Sequence, residues 1–392
     1  KRMHFGHLRS TIIGDALANG HDFLGYRTIR WNYLGDWGTQ FGKMITAYKL
    51  WGNRAEIEKD PVTALQALYV RFHEEMKEKP ELERQGREEF KKLEAGDHEN
   101  RALWKWFRDE SLKEFNRTYK RLGIRFDVTI GESFYEKDLR PLVDGLVKRG
   151  IATASEGSLI VDLDDKKLPV ALIQKSDGAS LYLTRDIANL AYRIAKYRPA
   201  KILYVVGNEQ SLHFEQLFAV AEKIGLRGAE CVHIKHGLIL GEDEKKLATR
   251  GGKAVLLEEV MEQITALARG VVEKKNPKLS AAHKDRIAEA VGIGALKYND
   301  LRENRHSDIV FDWQKMLDFG GDSAPYLMYT YARLKSILRR TKSGAYTGAA
   351  LVSDADFNLL LKTVQFGDAV NEVAASGNYP NNLARYLYEL AK

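Results

Sequence analysis

The sequence predicts an α/β fold: a doubly wound parallel sheet carrying a helical insertion, followed by an all-α helical bundle. Three observations predict it. Strand-like and helix-like segments alternate between about residues 181 and 240, a charge-rich helical block lies between about 54 and 122, and strand patterns disappear after about 256. The expected domains are residues 1–255, with the insertion at about 54–150, and residues 256–392. At 392 residues, 44% apolar and 29% charged, the chain can hold two or three domains with their own cores.

The chain opens "KRMHFGHLRST". Apolar residues at Leu8, Ile12, Ile13, Ala16 and Leu17 place a helix directly behind Gly6–His7. A helix start presents N–H groups with no intrahelical partner and attracts anions. Gly6 permits close approach to the backbone, and His4 and His7 each offer a donor to a phosphate oxygen. Two histidines three apart could also hold a metal, but no third ligand of the usual kind lies nearby. Thr28 to Leu34 reads as a strand, with a loop at Gly35, Gly38 and Gly42 behind it. The strand that should precede the first loop is missing, so an N-terminal segment is expected ahead of Lys1. The helix-like run "NNLARYLYELAK" at the other end implies further chain there too.

Within the insertion, Leu65, Leu68, Tyr69, Phe72 and Met76 form one apolar stripe, and Trp104, Phe107, Leu112, Phe115, Tyr119 and Leu122 another. The α/β alternation then reads as a strand at "LYLT" (181–184), a helix, a strand at "KILYVV" (201–206), a helix, and a strand region at "CVHIKHGLIL" (231–240). In such sheets ligands bind at the carboxyl ends of the strands. Next, "GEDEKKLATRGGKAVLLEEV" sets Lys245, Lys246, Arg250 and Lys253 around Gly251 and Gly252. A glycine-hinged basic loop can close on phosphates; alone, it reads equally as a solvated turn.

In the helical region, "APYLMYTYARLKSILRRTK" carries Arg333, Lys335, Arg339, Arg340 and Lys342 with no acidic residue, beside Tyr326, Tyr329 and Tyr331. Aromatic and basic residues so mixed can bind RNA; equally, the tyrosines can be core beneath a solvated basic face. The net charge of +7 permits a polyanionic partner. Cys231, the sole cysteine, excludes disulfides within the chain and any cysteine-based zinc site, which points to a reducing, cytoplasmic setting. No apolar run nears the length of a membrane span.

"HFGH" resembles the HIGH signature of class I aminoacyl-tRNA synthetases, and "KLATR" resembles a degenerate form of their KMSKS loop. With "NYLGDWGTQFGK", "LYLTRDIA" and "SAPYLMYTYARLKSIL" in the family's order, the chain is similar to the arginyl-tRNA synthetases. The resemblance implies a Rossmann-like catalytic domain and an anticodon-binding helical domain. It also implies activation of L-arginine by ATP with Mg2+ to arginyl-adenylate, followed by transfer to the arginine tRNA. No protein-ligated metal is expected, and the chain is expected to act as a monomer. By the same resemblance His4, Gly6, His7, Lys246, Thr249 and Arg250 hold ATP, with His4, His7, Lys1 and Lys246 catalytic. Tyr182, Asp186 and Gln210 contact arginine, and Tyr326, Arg333, Arg339 and Arg340 contact tRNA. A carboxylate suits a planar guanidinium, although Asp186 alone reads as a helix-start carboxylate. Thr249 stands where the signature loop usually has lysine, and Lys1 is positioned to supply that charge. Two rival readings remain: another nucleotidyltransferase with a His-x-Gly-His loop, and a catalytically impaired synthetase paralogue that binds RNA.

Overall fold

The computed structural model describes residues 2–176, 181–241, 255–318, 321–340, 353–374 and 377–392. It begins with α1 (His7–Phe23), whose inward face is Leu8, Ile12, Ile13 and Leu17. β1 (Trp31–Leu34) follows and is shorter than expected: just ahead of it the Arg30 N–H donates to the Asp127 carboxylate at 2.8 Å instead of to a neighbouring strand.

Next come α2 (Thr39–Trp51) and the helical block, α3 (Arg54–Ile57), α4 (Pro61–Glu78), α5 (Glu81–Glu94) and α6 (His98–Leu122). Asn53, Asp60 and Asp97 cap the starts of α3, α4 and α6 by accepting from backbone N–H groups three residues on. Gly123 ends α6 in the left-handed conformation, φ +68°. Trp37, Ile45, Phe90, Leu93, Trp104 and Phe107 form the block's core. Helices α2 and α5 approach so closely that a β-carbon on Gly42 would collide with the carbonyl of Gly86. β2 (Val128–Gly131) returns to pair in parallel with β1, so the expected insertion to about 150 takes in both β2 and α7 (Glu136–Lys148).

A small antiparallel sheet that the alternation missed then follows: β3 (Thr153–Ser155), β4 (Ser158–Val161) and β5 (Ala171–Gln174). Glu156 and Gly157, with φ +48° and +79°, make the tight turn between β3 and β4. The expected strand at 181–184 is instead the start of α8 (Tyr182–Tyr197), with only Leu181 extended. Leu183, Ile187 and Leu190 recur at helical spacing and are buried; four residues are too few to separate the two periods.

β6 (Lys201–Gly207), α9 (Ser211–Lys223) and β7 (Glu230–His236) restore the α/β rhythm, with β6 and β7 parallel from Lys201–Glu230 to Gly207–His236. Helix α1 covers this pair through Ile13 and Leu17, packed on Leu203, Val205, Val232 and Ile234. Its Arg9 donates to the carbonyl of Ser307 at 2.8 Å, beside Arg305, which itself donates to the carbonyl of Lys235 at 2.7 Å. Gly14 sits further down, against Val205. Thus α1 runs antiparallel to the strands and its start opens over their carboxyl ends.

β8 (Ile239–Leu240) pairs in parallel with β9 (Ile309–Val310), which corrects the expectation of no strands beyond 256; two residues show no periodicity. Between them lie α10 (Leu257–Lys275) and α11 (Ala281–Leu301), whose Leu257, Val260, Ile264 and Leu296 share one apolar cluster with Met3, Phe5, Leu8 and Ile12. α12 (Trp313–Met316), α13 (Ala324–Arg340), α14 (Asp354–Val364), α15 (Phe366–Ala374) and α16 (Pro380–Ala391) follow. Arg305 joins these last helices to β7, donating also to the carbonyls of Asn378 and Gly377 at 3.1 and 3.3 Å.

Candidate active site

The segment Met3–His7 is fixed from two sides. Phe5 N–H donates to the carbonyl of Val255 at 2.8 Å, Leu257 N–H donates to that of Met3 at 3.0 Å, and His4 bridges to Leu256. Residues 255–257 directly follow the basic glycine loop in sequence, so its exit is tied to the His-x-Gly-His segment. Lys1, Lys246, Thr249 and Arg250, expected to act on ATP, lie outside the described residues.

The two imidazoles lie against each other, tilted by 37°, at 3.7 Å between centroids, and Nδ1 of His7 lies 3.1 Å from the backbone nitrogen of His4. Gly6 leads into α1 with φ −60°, so its absent side chain matters for space: a β-carbon there would lie 3.0 Å from the His4 ring. One expectation changes. The N–H groups of His7 and Leu8 are not open, because a preceding turn lets them donate to the carbonyls of His4 and Phe5, both at 3.0 Å. Two of the N–H groups expected to face an anion are thus spent within the turn, and the imidazoles are the side-chain donors left beside it.

The residues expected to contact arginine stand at the starts of two adjacent helices. Tyr182 and Asp186 are one turn apart on α8, and Tyr182 is 60% exposed. Gln210 closes the short turn after β6 and leads into α9. His213, three residues on, places its Nε2 2.7 Å from Oδ2 of Asp186 and so ties the two helix starts together.

Behind Asp186 is a group of residues that the sequence reading passed over. Arg185 turns inward to an ion pair with Glu132 at 3.0 Å, both side chains less than a tenth exposed. Burial pushes the Glu132 carboxyl up to about 7, against the pull of Arg185 and with the help of Asp186 and Asp36. The Asp36 carboxylate accepts from the N–H and hydroxyl of Ser133 at 2.9 and 2.8 Å, while burial raises its pKa. Gly131 gives it room, since a β-carbon there would force that carboxylate to move. The Tyr33 hydroxyl is buried without a hydrogen-bond partner among the described residues. Burial, followed by the charges of Asp186 and Glu132, raises its pKa. Tyr33, Asp36 and Glu132 all lie at the carboxyl ends of β1 and β2, where loops after parallel strands gather ligand groups. That placement was the available signal.

On α13, Arg333, Arg339 and Arg340 are exposed, as are Tyr329 and Tyr331. Tyr326 differs: its hydroxyl donates to the carbonyl of Ala391 at 3.1 Å and its ring meets Tyr388, so it pins α13 to α16. Among the described residues no helix is long and apolar enough to cross a membrane.

Comparison with known proteins accords with this arrangement. The family model "tRNA synthetases class I (R), catalytic domain" matches residues 1–313, and the "DALR anticodon binding domain" matches 327–392. The arginine–tRNA ligase of Levilactobacillus brevis is 46% identical over 394 residues, covering all of this chain and 69% of that protein. That of Streptococcus suis is 46% identical over 395 residues, covering all of this chain and 70% of the relative. The crystal structure of arginyl-tRNA synthetase from Plasmodium falciparum superposes with a TM-score of 0.85 at 28% identity, covering all of this chain and 66% of that one. A match across the whole chain favours this family over a small nucleotidyltransferase with a similar histidine loop. The chain belongs to the class I arginyl-tRNA synthetases, the arginine–tRNA ligases.

Proposed function

We propose that this chain activates L-arginine with MgATP and transfers it to the arginine tRNA, using the residues assembled above. The arginine carboxylate attacks the α-phosphorus of ATP and pyrophosphate leaves. A ribose hydroxyl of the tRNA terminus then attacks the carbonyl carbon of the adenylate, and AMP leaves. His4 and His7 stabilise charge on the phosphates, and Gly6 leaves room for the His4 ring. Lys246, Thr249 and Arg250 belong to the loop that closes on the leaving pyrophosphate, with Lys1 supplying the charge that Thr249 lacks. Mg2+ enters with ATP as part of the substrate. Asp186 receives the guanidinium, with Tyr182 and Gln210 beside it.

The observation that carries this reading is the pairing of Met3–Phe5 with Val255–Leu257, which ties the exit of the basic loop to the histidine segment at the carboxyl ends of the strands. On the RNA side, Arg333, Arg339 and Arg340 of α13 offer phosphate contacts, and Tyr326 contributes by holding the helix in place. The same reading makes the protein a cytoplasmic monomer, in keeping with its lone cysteine. Arginine-dependent ATP–pyrophosphate exchange, with and without arginine tRNA, tests the proposal. Exchange that requires arginine supports it, and RNA binding with no exchange under either condition overturns it.

A further inference from the structure

The His213–Asp186 contact has a consequence for amino-acid selection. Its Nε2 to Oδ2 distance of 2.7 Å is that of a strong hydrogen bond. An ionised carboxylate only accepts, so the imidazole Nε2 carries the hydrogen. His213 sits in the first turn of α9, and Asp186 one turn into α8. Both side chains are partly exposed, 25% and 18%. The imidazole therefore occupies one carboxylate oxygen, Oδ2, and among the described residues leaves Oδ1 for another donor. It also fixes the plane in which the carboxylate presents that oxygen. The neighbouring residue, Arg185, is turned inward to Glu132.

We propose that His213 is a positioning residue for amino-acid selection: it locks the Asp186 carboxylate in the orientation that suits a planar guanidinium. The inference rests on the reading of Asp186 as the guanidinium partner. A guanidinium offers donors in a rigid fork and needs a carboxylate held in one plane, whereas an ammonium is a point charge that accepts any orientation. Fixing the carboxylate therefore favours arginine over lysine. Releasing it costs arginine binding and leaves weak lysine use unchanged.

The test uses the full chain in tRNA-supported pyrophosphate exchange, with KM for arginine, lysine and ATP measured separately. His213→Ala is expected to raise KM for arginine about tenfold, with KM for ATP and lysine-dependent exchange unchanged. His213→Gln carries an amide donor that can reach Oδ2 and is expected to recover most of that loss. Asp186→Asn tests the underlying reading independently, and the double variant His213→Ala/Asp186→Asn is expected to be no worse for arginine than Asp186→Asn alone. If Asp186→Asn leaves KM for arginine unchanged, the reading of Asp186 fails and the inference falls with it. If Asp186→Asn raises that KM while His213→Ala does not, only the positioning role is overturned. Equal losses for arginine and ATP, or additive losses in the double variant, would show that His213 supports the fold instead.

Discussion

Gly6 and His4 are in steric contact through a side chain that is absent: a β-carbon on Gly6 would lie 3.0 Å from both Nδ1 and Cε1 of His4. The backbone there, φ −60° and ψ −19°, is one that alanine adopts readily. Gly6→Ala should therefore leave the thermal midpoint almost unchanged while shifting the His4 ring by a few tenths of an ångström from its 3.7 Å contact with His7. We expect adenylate formation to slow by up to about tenfold, and by less than in His4→Ala or His7→Ala, because a displaced charge-stabilising group loses part of its effect. Exchange kinetics beside a melting curve check this. Normal exchange in Gly6→Ala would mean that the ring position is immaterial.

The second prediction concerns Asp186. Replacing it with asparagine keeps the shape and removes the charge, so arginine affinity should fall by about 1.5–3 kcal/mol while ATP affinity persists. Separate titrations with the two ligands decide it. Equal losses for both would place Asp186 in the fold and not in the amino-acid pocket.

Glu132 gives a pH signature. Its ordinary value near 4.5 is raised to about 7 in the folded chain, chiefly by burial. The folded state therefore holds this proton more tightly than the unfolded state does. The resulting stability is complete below about pH 4.5 and is lost as the pH rises through about 7. Glu132→Gln removes the titration but leaves an acceptor for Arg185. The difference in unfolding free energy, wild type minus variant, should fall by up to about 3 kcal/mol between pH 4.5 and 8. Denaturant midpoints across that range measure it, and curves that stay parallel would refute it.

Arg9 shows what the sequence could and could not convey. Read along the chain it is a charged residue beside Leu8 in an amphipathic helix, yet its side chain is 1% exposed and pairs with Asp300 at 3.1 Å. The partner lies 291 residues away, beyond the reach of any local pattern. Helices α1, α6, α10 and α11 were legible because their stripes repeat over several turns. β2, β3, β4, β5 and β9 were missed because none exceeds four residues. The histidine segment was legible through its local spacing. His213, Glu132 and Asp36 were not, because they join the site only when strand ends converge. Arg9→Met should cost about 3–5 kcal/mol by leaving Asp300 and two carbonyls without their donor. Asp300→Asn, which keeps an acceptor, should cost clearly less. Urea midpoints for the two variants test the order, and equal losses would count against it.

The last prediction concerns α13. Arg333, Arg339 and Arg340 are exposed on this helix, and Tyr326 is spent on holding it against α16. Exposed guanidiniums that meet phosphates release counterions, so tRNA affinity should fall steeply as salt rises. Arg339→Ala with Arg340→Ala should weaken tRNA binding and flatten the slope of log affinity against log salt by up to about two units. Tyr326→Phe removes only the hydroxyl that donates to Ala391, so it should lower the stability of the helical domain by roughly 1 kcal/mol and leave the salt slope unchanged. Filter-binding curves at several salt concentrations, with melting curves of the same variants, separate the two effects. Superimposable binding curves for wild type and the double variant would show that these arginines are only solvated, and a changed salt slope in Tyr326→Phe would put the tyrosine itself in the RNA contact.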